Sequence, residues 1–385
     1  MQRDRAVHKR NCPLRLVYVV TEDWFFVTHF LPMARAAQRA GFEIVVVTRV
    51  GDRAKEIESE GFRLVALAAD RSAFGIGPLL STLFRLRAIF LRERPDIIHA
   101  IALKSIILGG IANLLSGGSA GVFSLTGLGY LWSGNRSVLR VSRAAVRSIL
   151  RVLGLRSPIT FTFENDDDSH EFPHLNDKIV IGGWGVDAIP LSPKSMHSAS
   201  PVRALYLGRM LKSKGIEPTV KAVQLAREKV DVQLELWGTP DPGNLTSLTE
   251  DQLLAFSKLE GVRWCGRAAD VSTTWQRADI AILLSEREGM PRSLIEAAAT
   301  GLPMIAFDVA GCRSIVQDGI NGFLVPPGDV RAVADAILKL ANDAELRARM
   351  GAAARSDFEQ RFSIESVVPR IIEVYFNLVR YPQMR

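Results

Sequence analysis

Cysteine is scarce in this chain, and the little there is lies scattered. Cys12, Cys265 and Cys312 are far apart and form no Cys-x-x-Cys pair, which argues against a disulfide framework or a cysteine zinc site and fits a reducing cytoplasm. Long uncharged apolar runs are also lacking. The most membrane-like stretch, residues 97–115, carries His99, Lys104 and Gly109-Gly110, so it reads as a buried strand followed by a helix. No apolar signal-peptide core follows the polar stretch 1–11, because Pro13-Leu14-Arg15 interrupts the run into Val20; residues 1–11 are expected to be loose. A Gly-x-Gly-x-x-Gly turn is missing after the first strand, where Thr21-Glu22-Asp23-Trp24 stands instead. This disfavours a dinucleotide oxidoreductase, and Gly75-Ile76-Gly77 and Gly127-Leu128-Gly129 are too short to restore one. Acids number 41 against 48 Lys and Arg, and the net charge of +7 suits nucleic acid, an anionic membrane surface or a phosphorylated substrate.

What is present is a globular composition, 48% hydrophobic and 23% charged, in 385 residues, enough for two domains. Apolar strands at 14–20, 42–48, 62–66 and 96–100 alternate with helices at about 27–40 and 78–93. A second series has strands at 202–207, 233–237, 262–264, 280–284 and 304–307, with helices through 220–229 and around Glu296. Such alternation predicts an α/β protein of two Rossmann-like, doubly wound domains facing a cleft, with ligands at the carboxyl ends of the strands. The domains are read as 1–187 and 201–364, joined by a linker at 188–200 around Ile189-Pro190-Leu191-Ser192-Pro193.

The most informative segment runs from Ser285 to Ala297. Pro291 suits the first position of a helix, Glu288 then lies just outside that helix, and Glu296 lies inside it. Free N–H groups at Gly289, Met290 and Arg292 would face an anion or hydroxyls at the helix start. Upstream, Gly208-Arg209-Met210-Leu211-Lys212-Ser213-Lys214-Gly215 offers two cations after a strand. A unit charge pair at 4 Å is worth roughly 4 kcal/mol at an effective dielectric near 20, before desolvation. Together with Asp318-Gly319-Ile320-Asn321-Gly322-Phe323-Leu324-Val325-Pro326-Pro327-Gly328-Asp329, these segments closely resemble, in order, the motifs of the retaining nucleotide-sugar glycosyltransferases of family 4. The first half, through Val20–Trp24, Ile98-His99-Ala100 with Lys104, and Leu125–Tyr130, resembles the branch that builds bacterial surface polysaccharides and lipid-linked oligosaccharides.

The resemblance implies the GT-B architecture, with a final helix at about 365–385 returning to the first domain. It also implies a metal-independent donor site without a cofactor. Arg209 and Lys214 would bracket the diphosphate beside Gly208, Glu296 would hold the ribose, and Glu288 with the Gly289 and Met290 amides would meet the sugar. His99, read as ending the strand Asp96-Ile97-Ile98 where a side chain would enter the cleft, would act at the sugar and acceptor, and Asp23, Trp24 and Lys104 would line the acceptor. Glu288, His99, Arg209 and Lys214 are the catalytic candidates. Arg313-Ser314-Ile315-Val316 departs from the family by lacking a carboxylate before the Ile-Val pair. Asp166-Asp167-Asp168, with no clear strand before it, is read as a solvated loop rather than a metal site.

Arg136, Arg140, Arg143, Arg147 and Arg151 recur every three or four residues without an intervening acid, one stripe of a helix suited to anionic lipid. The expected protein is a peripheral enzyme on the cytoplasmic face of the membrane. It would move a hexosyl or N-acetylhexosaminyl group from a nucleotide sugar, UDP favoured, to a polyprenyl-diphosphate-linked saccharide, with no nucleic-acid partner. A nucleotide-sugar epimerase on the same plan and a non-enzymatic membrane or nucleic-acid binder are the alternatives.

Overall fold

The computed structural model describes residues 13–67, 75–132, 137–191 and 201–380. Two compact units are present: one from the residues up to Gly185 together with those from Val367 onward, the other Val186–Ser366.

The first unit is built on a seven-stranded parallel sheet of β1 (Leu14–Glu22), β2 (Phe42–Arg49), β3 (Arg63–Ala66), β4 (Ile97–Ile101), β5 (Ala120–Leu125), β6 (Ile159–Phe163) and β7 (Lys178–Val180). Its order is β3-β2-β1-β4-β5-β6-β7. The helices are α1 (Asp23–His29), α2 (Leu31–Arg39), α3 (Ala54–Ser59), α4 (Ile76–Glu93), α5 (Leu103–Leu114), α6 (Ser137–Arg156) and α7 (Asp166–His170). All five residues of β4 and of β6 are buried, as expected of strands covered on both faces.

In the second unit the order is β10-β9-β8-β11-β12-β13. The strands are β8 (Val202–Leu207), β9 (Val232–Trp237), β10 (Val262–Gly266), β11 (Ile280–Leu283), β12 (Met304–Phe307) and β13 (Gly322–Val325). Around them lie α8 (Ile216–Arg227), α9 (Glu250–Phe256), α10 (Val271–Gln276), α11 (Arg292–Ala299), α12 (Ala310–Arg313), α13 (Val330–Asn342) and α14 (Ala344–Arg361). The last helix, α15 (Ile364–Arg380), belongs to the first unit from Val367. Val186 and Ile189, just before and inside the segment read as a linker, are part of the second unit's core; residues 192–200 of that segment lie outside the described residues. The loose stretch expected at 1–11 also lies outside them.

Three local expectations are corrected. The helix expected at 27–40 is two helices meeting at Phe30, because Pro32 has no N–H to continue the first ladder. Pro291 is not the first residue of α11 but its N-cap, with φ −70 and ψ 108. Asp166–Asp168 is not a loop: β6 leads toward it and it forms the start of α7, with Asp166 and Asp167 exposed, as a solvated segment would have them, and Asp168 turned inward. The Asn165 side chain accepts from the Asp168 N–H at 2.7 Å, and Asp168 is buried.

Candidate functional site

In the second unit, the chain leaving β8 at Gly208 turns through Arg209–Leu211 into a single 3₁₀ turn, Lys212–Lys214, and then Gly215. Gly215 has φ +76, and a Cβ there would lie 2.0 Å from the Leu284 carbonyl oxygen, so only glycine fits. That close approach brings Lys214 to the loop after β11. Lys214 Nζ donates to Glu288 Oε1 at 2.5 Å, the Ser285 hydroxyl donates to the same oxygen at 2.6 Å, and the Glu286 N–H donates to the Ser213 carbonyl at 3.0 Å.

On its other side the loop is pressed by α12. A Cβ on Gly311 would meet the Gly289 carbonyl oxygen at 2.4 Å, and the Gly311 N–H donates to the Glu288 carbonyl at 3.2 Å. Glu288 is thus held by backbone from one side and by two side-chain donors from the other. Met290 packs partly buried against the core.

Glu296, little more than one turn into the loop's helix, is 7% exposed. Arg292 Nε donates to its Oε1 at 2.8 Å, and Trp275 Nε1 donates to its Oε2 at 3.3 Å. Burial pushes this carboxyl above its usual range, against the pull of Arg292 and the indole. Burial, and after it the Glu288 charge, raises the neighbouring Tyr206 phenol and Cys312 thiol, so both stay neutral beside the pair. The Tyr206 hydroxyl donates to the Arg209 carbonyl at 2.7 Å and fixes the turn after β8.

The two cations read from the sequence each hold a carboxylate. Arg209 pairs with Asp241 at 2.9 Å, with its side chain about half exposed, whereas Lys214 and Glu288 are 23% and 10% exposed. An exposed pair is worth about 0–1 kcal/mol, so Arg209 can be handed to another anion at little cost. Lys214 is held more firmly, by a partner with little access to water. Any anion that engages Lys214 must therefore draw it from Glu288 or share it.

Sequence reasoning missed Asp241, Trp275 and Gly311. Asp241 and Trp275 carry no local pattern. Gly311 does sit in a short Gly-Cys-Arg helix, and its glycine was the available signal.

In the first unit, the expected strand-end position of His99 is corrected. It is the third of the five β4 residues and fully buried. Its Nδ1 lies 2.6 Å from the Tyr375 hydroxyl and its Nε2 lies 2.6 Å from the Ser124 hydroxyl. Ser124 continues to Thr162 at 2.7 Å, and Tyr375 to Tyr18 at 3.0 Å. Burial pushes the imidazole down to about 3. Both nitrogens are taken by protein groups, which makes His99 a tie between the sheet and α15.

Asp23 is also engaged. Its carboxylate accepts from the N–H groups of Trp24 at 2.7 Å, Gly51 at 2.7 Å and Arg53 at 3.0 Å, tying the start of α1 to the loop after β2. Trp24 is exposed. Lys104 lines a small recess with Thr21, Ser105 and Leu86. Among the Arg stripe, Arg143 donates to the Leu131 carbonyl at 2.6 Å and Arg147 pairs with Glu171 at 2.5 Å, so the expectation of one lipid-facing row is corrected; Arg136 lies outside the described residues.

Residues 201–343 match the family described as glycosyl transferases group 1, and residues 15–154 match that described as glycosyl transferase 4-like. The chain is similar to the capsular polysaccharide biosynthesis glycosyltransferase CapM of Staphylococcus aureus, with 23% identity over 92% of this chain and 96% of CapM. The N,N'-diacetylbacillosaminyl-diphospho-undecaprenol alpha-1,3-N-acetylgalactosaminyltransferase of Campylobacter jejuni is 20% identical over 92% of this chain and 96% of its own. Among solved structures, sucrose-phosphate synthase of Thermosynechococcus elongatus superposes with a TM-score of 0.77 at 20% identity, over 95% of this chain and 99% of that one. HepE of Anabaena, solved in complex with UDP and glucose, superposes with a TM-score of 0.76 at 18% identity, over 95% and 100%.

Proposed function

Because the chain belongs to the glycosyltransferases, its halves carrying the 4-like and group 1 domains and folding as the two Rossmann-like units of the GT-B class, we propose that it transfers a hexosyl or N-acetylhexosaminyl group from a UDP-sugar to a polyprenyl-diphosphate-linked saccharide with retention at the anomeric carbon. CapM's name places it in capsular polysaccharide biosynthesis, and the Campylobacter enzyme's name specifies a diphospho-undecaprenol acceptor. HepE supports UDP as the carrier. The observation that carries the reading is the Lys214–Glu288–Ser285 cluster, gripped between Gly215 and Gly311.

In this mechanism the nucleotide sits on the second unit, with the ribose hydroxyls at Glu296. Its diphosphate takes Arg209 from Asp241 and shares Lys214 with Glu288, so charge that develops on the leaving group meets two cations already in place. Glu288, relieved of part of its ion pair, accepts from sugar hydroxyls, with the Gly289 and Met290 amides beside it. The bond between the anomeric carbon and the diphosphate oxygen breaks, and the electron pair leaves with the UDP. The acceptor hydroxyl forms the new bond on the same face, and its proton passes to the departing phosphate oxygen. Two cations supply the charge that a metal would otherwise bring, so no metal or cofactor is required in this scheme. Asp23 acts by fixing the start of α1 against the loop after β2, with Trp24 and Lys104 facing the acceptor.

Among the described residues no helix is long and apolar enough to cross a membrane, and a lipid-linked acceptor would bring the enzyme to the cytoplasmic face of the bilayer as a peripheral protein. The test is a panel of UDP- and GDP-sugars with a polyprenyl-diphosphate-linked acceptor, with and without chelator, followed by assignment of the product anomer. Transfer from a UDP-sugar with retention, unaffected by chelator, is expected. An inverted product, activity restored only by added manganese, or epimerised free sugar with no glycolipid would each overturn this reading.

A further inference from the structure

Resting on the peripheral, lipid-linked part of that reading, we propose that the outer face of the α4–α5–α6 layer of the first unit docks on an anionic phospholipid bilayer, with apolar side chains of α6 and α4 entering the membrane and arginines at their borders meeting lipid phosphates. α5 packs against both α4 and α6, which makes the three helices one layer over the sheet. α6 buries Leu139, Val146, Leu150 and Leu153 on its inner side. At about 100° per residue, Val141, Val152 and Leu155 fall on the opposite side and Val138 on its flank, and they are 70%, 51%, 66% and 75% exposed in that order. The helix is thus apolar on two faces, and only one of them is covered by this unit.

Leu80, Phe84 and Leu91 repeat the pattern on α4, at the spacing of one helical stripe, and Leu115 after α5 is exposed as well. An ordinary solvated helix layer does not gather its exposed large hydrophobics in this way.

Charge selects the occupant. Glu93 is the sole acid in α4, α5 and α6; it is buried, and Arg15, Arg63 and Arg92 surround it. Arg140, Arg151 and Arg156 are exposed along the edges of the outer α6 stripe. A second copy of this face would set arginine against arginine, and nucleic acid would leave the valines and leucines in contact with phosphate. An anionic membrane matches both, since its headgroups attract cations and its acyl region accepts the apolar stripe. At the carboxyl end of α6, a recess of about 620 Å³ is lined by Arg151, Leu155, Arg156, His174 and Asp177 among others, large enough for a phosphoryl headgroup. Arg143 and Arg147, tied to Leu131 and Glu171, serve the fold instead.

The test is flotation of the full-length protein with phosphatidylcholine vesicles and with phosphatidylglycerol-containing vesicles, without acceptor, alongside UDP titration. Wild type is expected to bind the anionic vesicles and to release them as salt rises. Val141→Glu with Leu155→Glu should lower partitioning about tenfold or more, and Arg140→Glu with Arg151→Glu should remove the preference for anionic lipid. These exposed substitutions should leave the circular dichroism spectrum and the UDP affinity unchanged.

Equal vesicle binding by the V141E/L155E variant would overturn the inference, as would no binding by wild type, a wild-type dimer that V141E/L155E disperses, or DNA binding that the arginine variants abolish. UDP binding that fails in wild type while the vesicle result holds would count against the donor site and not against this surface.

Discussion

His99 offers a sharp physical test of the first unit. Its imidazole is fully buried between Tyr375 and Ser124, and burial holds it near 3, whereas in the unfolded chain it titrates near 6.5. Between those values the unfolded chain binds a proton that the folded chain refuses. The stability contribution is therefore complete above about pH 6.5 and is lost as pH falls toward 3, at about 1.4 kcal/mol per pH unit and about 5 kcal/mol across the window. Against a total stability of about 5–15 kcal/mol this loss is large. His99→Gln keeps a donor and an acceptor but does not titrate. It should cost about 1–2 kcal/mol at neutral pH through poorer hydrogen bonds. Urea unfolding of both proteins from about pH 7 to about pH 4.5 cancels the carboxylate contributions they share. Fluorescence can report on the region, since the Trp184 ring lies 6.4 Å from the imidazole. The wild-type advantage should vanish and reverse at about pH 5. Parallel curves across that range would refute the argument.

Lys214→Ala removes the cation from Glu288 and from the donor diphosphate, so kcat/KM should fall by about 10²-fold or more, as when a preorganised donor is lost; steady-state kinetics showing wild-type turnover would refute the assignment. Gly311→Ala places a Cβ 2.4 Å from the Gly289 carbonyl oxygen, which should cost about 1–3 kcal/mol and weaken UDP-sugar binding together, read by thermal melting and titration calorimetry. Trp275→Phe deletes the 3.3 Å hydrogen bond to Glu296. That should raise further a carboxyl that burial already raises, and so move the acidic limb of UDP affinity to higher pH; calorimetry across acid pH would detect it, and an unmoved limb would contradict the role given to Glu296.

Much of this was legible from local pattern. Apolar runs such as Leu16–Val20 and Ile280–Leu283 must be strands in a covered parallel sheet, and the donor loop announced itself because glycine, proline and two carboxylates stand close in sequence. The pairing of Lys214 with Glu288 joins residues 74 apart, and it follows only once Gly215 is seen to touch the Leu284 backbone. His99 was misplaced for a similar reason: its partner Tyr375 is 276 residues away on α15, and nothing in Ile98-His99-Ala100 foretells a tyrosine closing over the ring. The Arg stripe was periodic in the chain, but which arginines face water depended on Leu131 and Glu171, which no periodicity reveals. Asp168 looked solvated because β6 is only five residues long and carries little signal of its own, and the Asn165 cap that opens α7 was not read from the sequence.

The central claim is tested most directly by a crystal structure of the protein with an unreactive UDP-sugar. The account predicts the diphosphate against Arg209 and Lys214, with Arg209 drawn from Asp241, the ribose at Glu296 and the sugar beside Glu288. A nucleotide bound elsewhere, with the Lys214–Glu288 and Arg209–Asp241 pairs undisturbed, would contradict it.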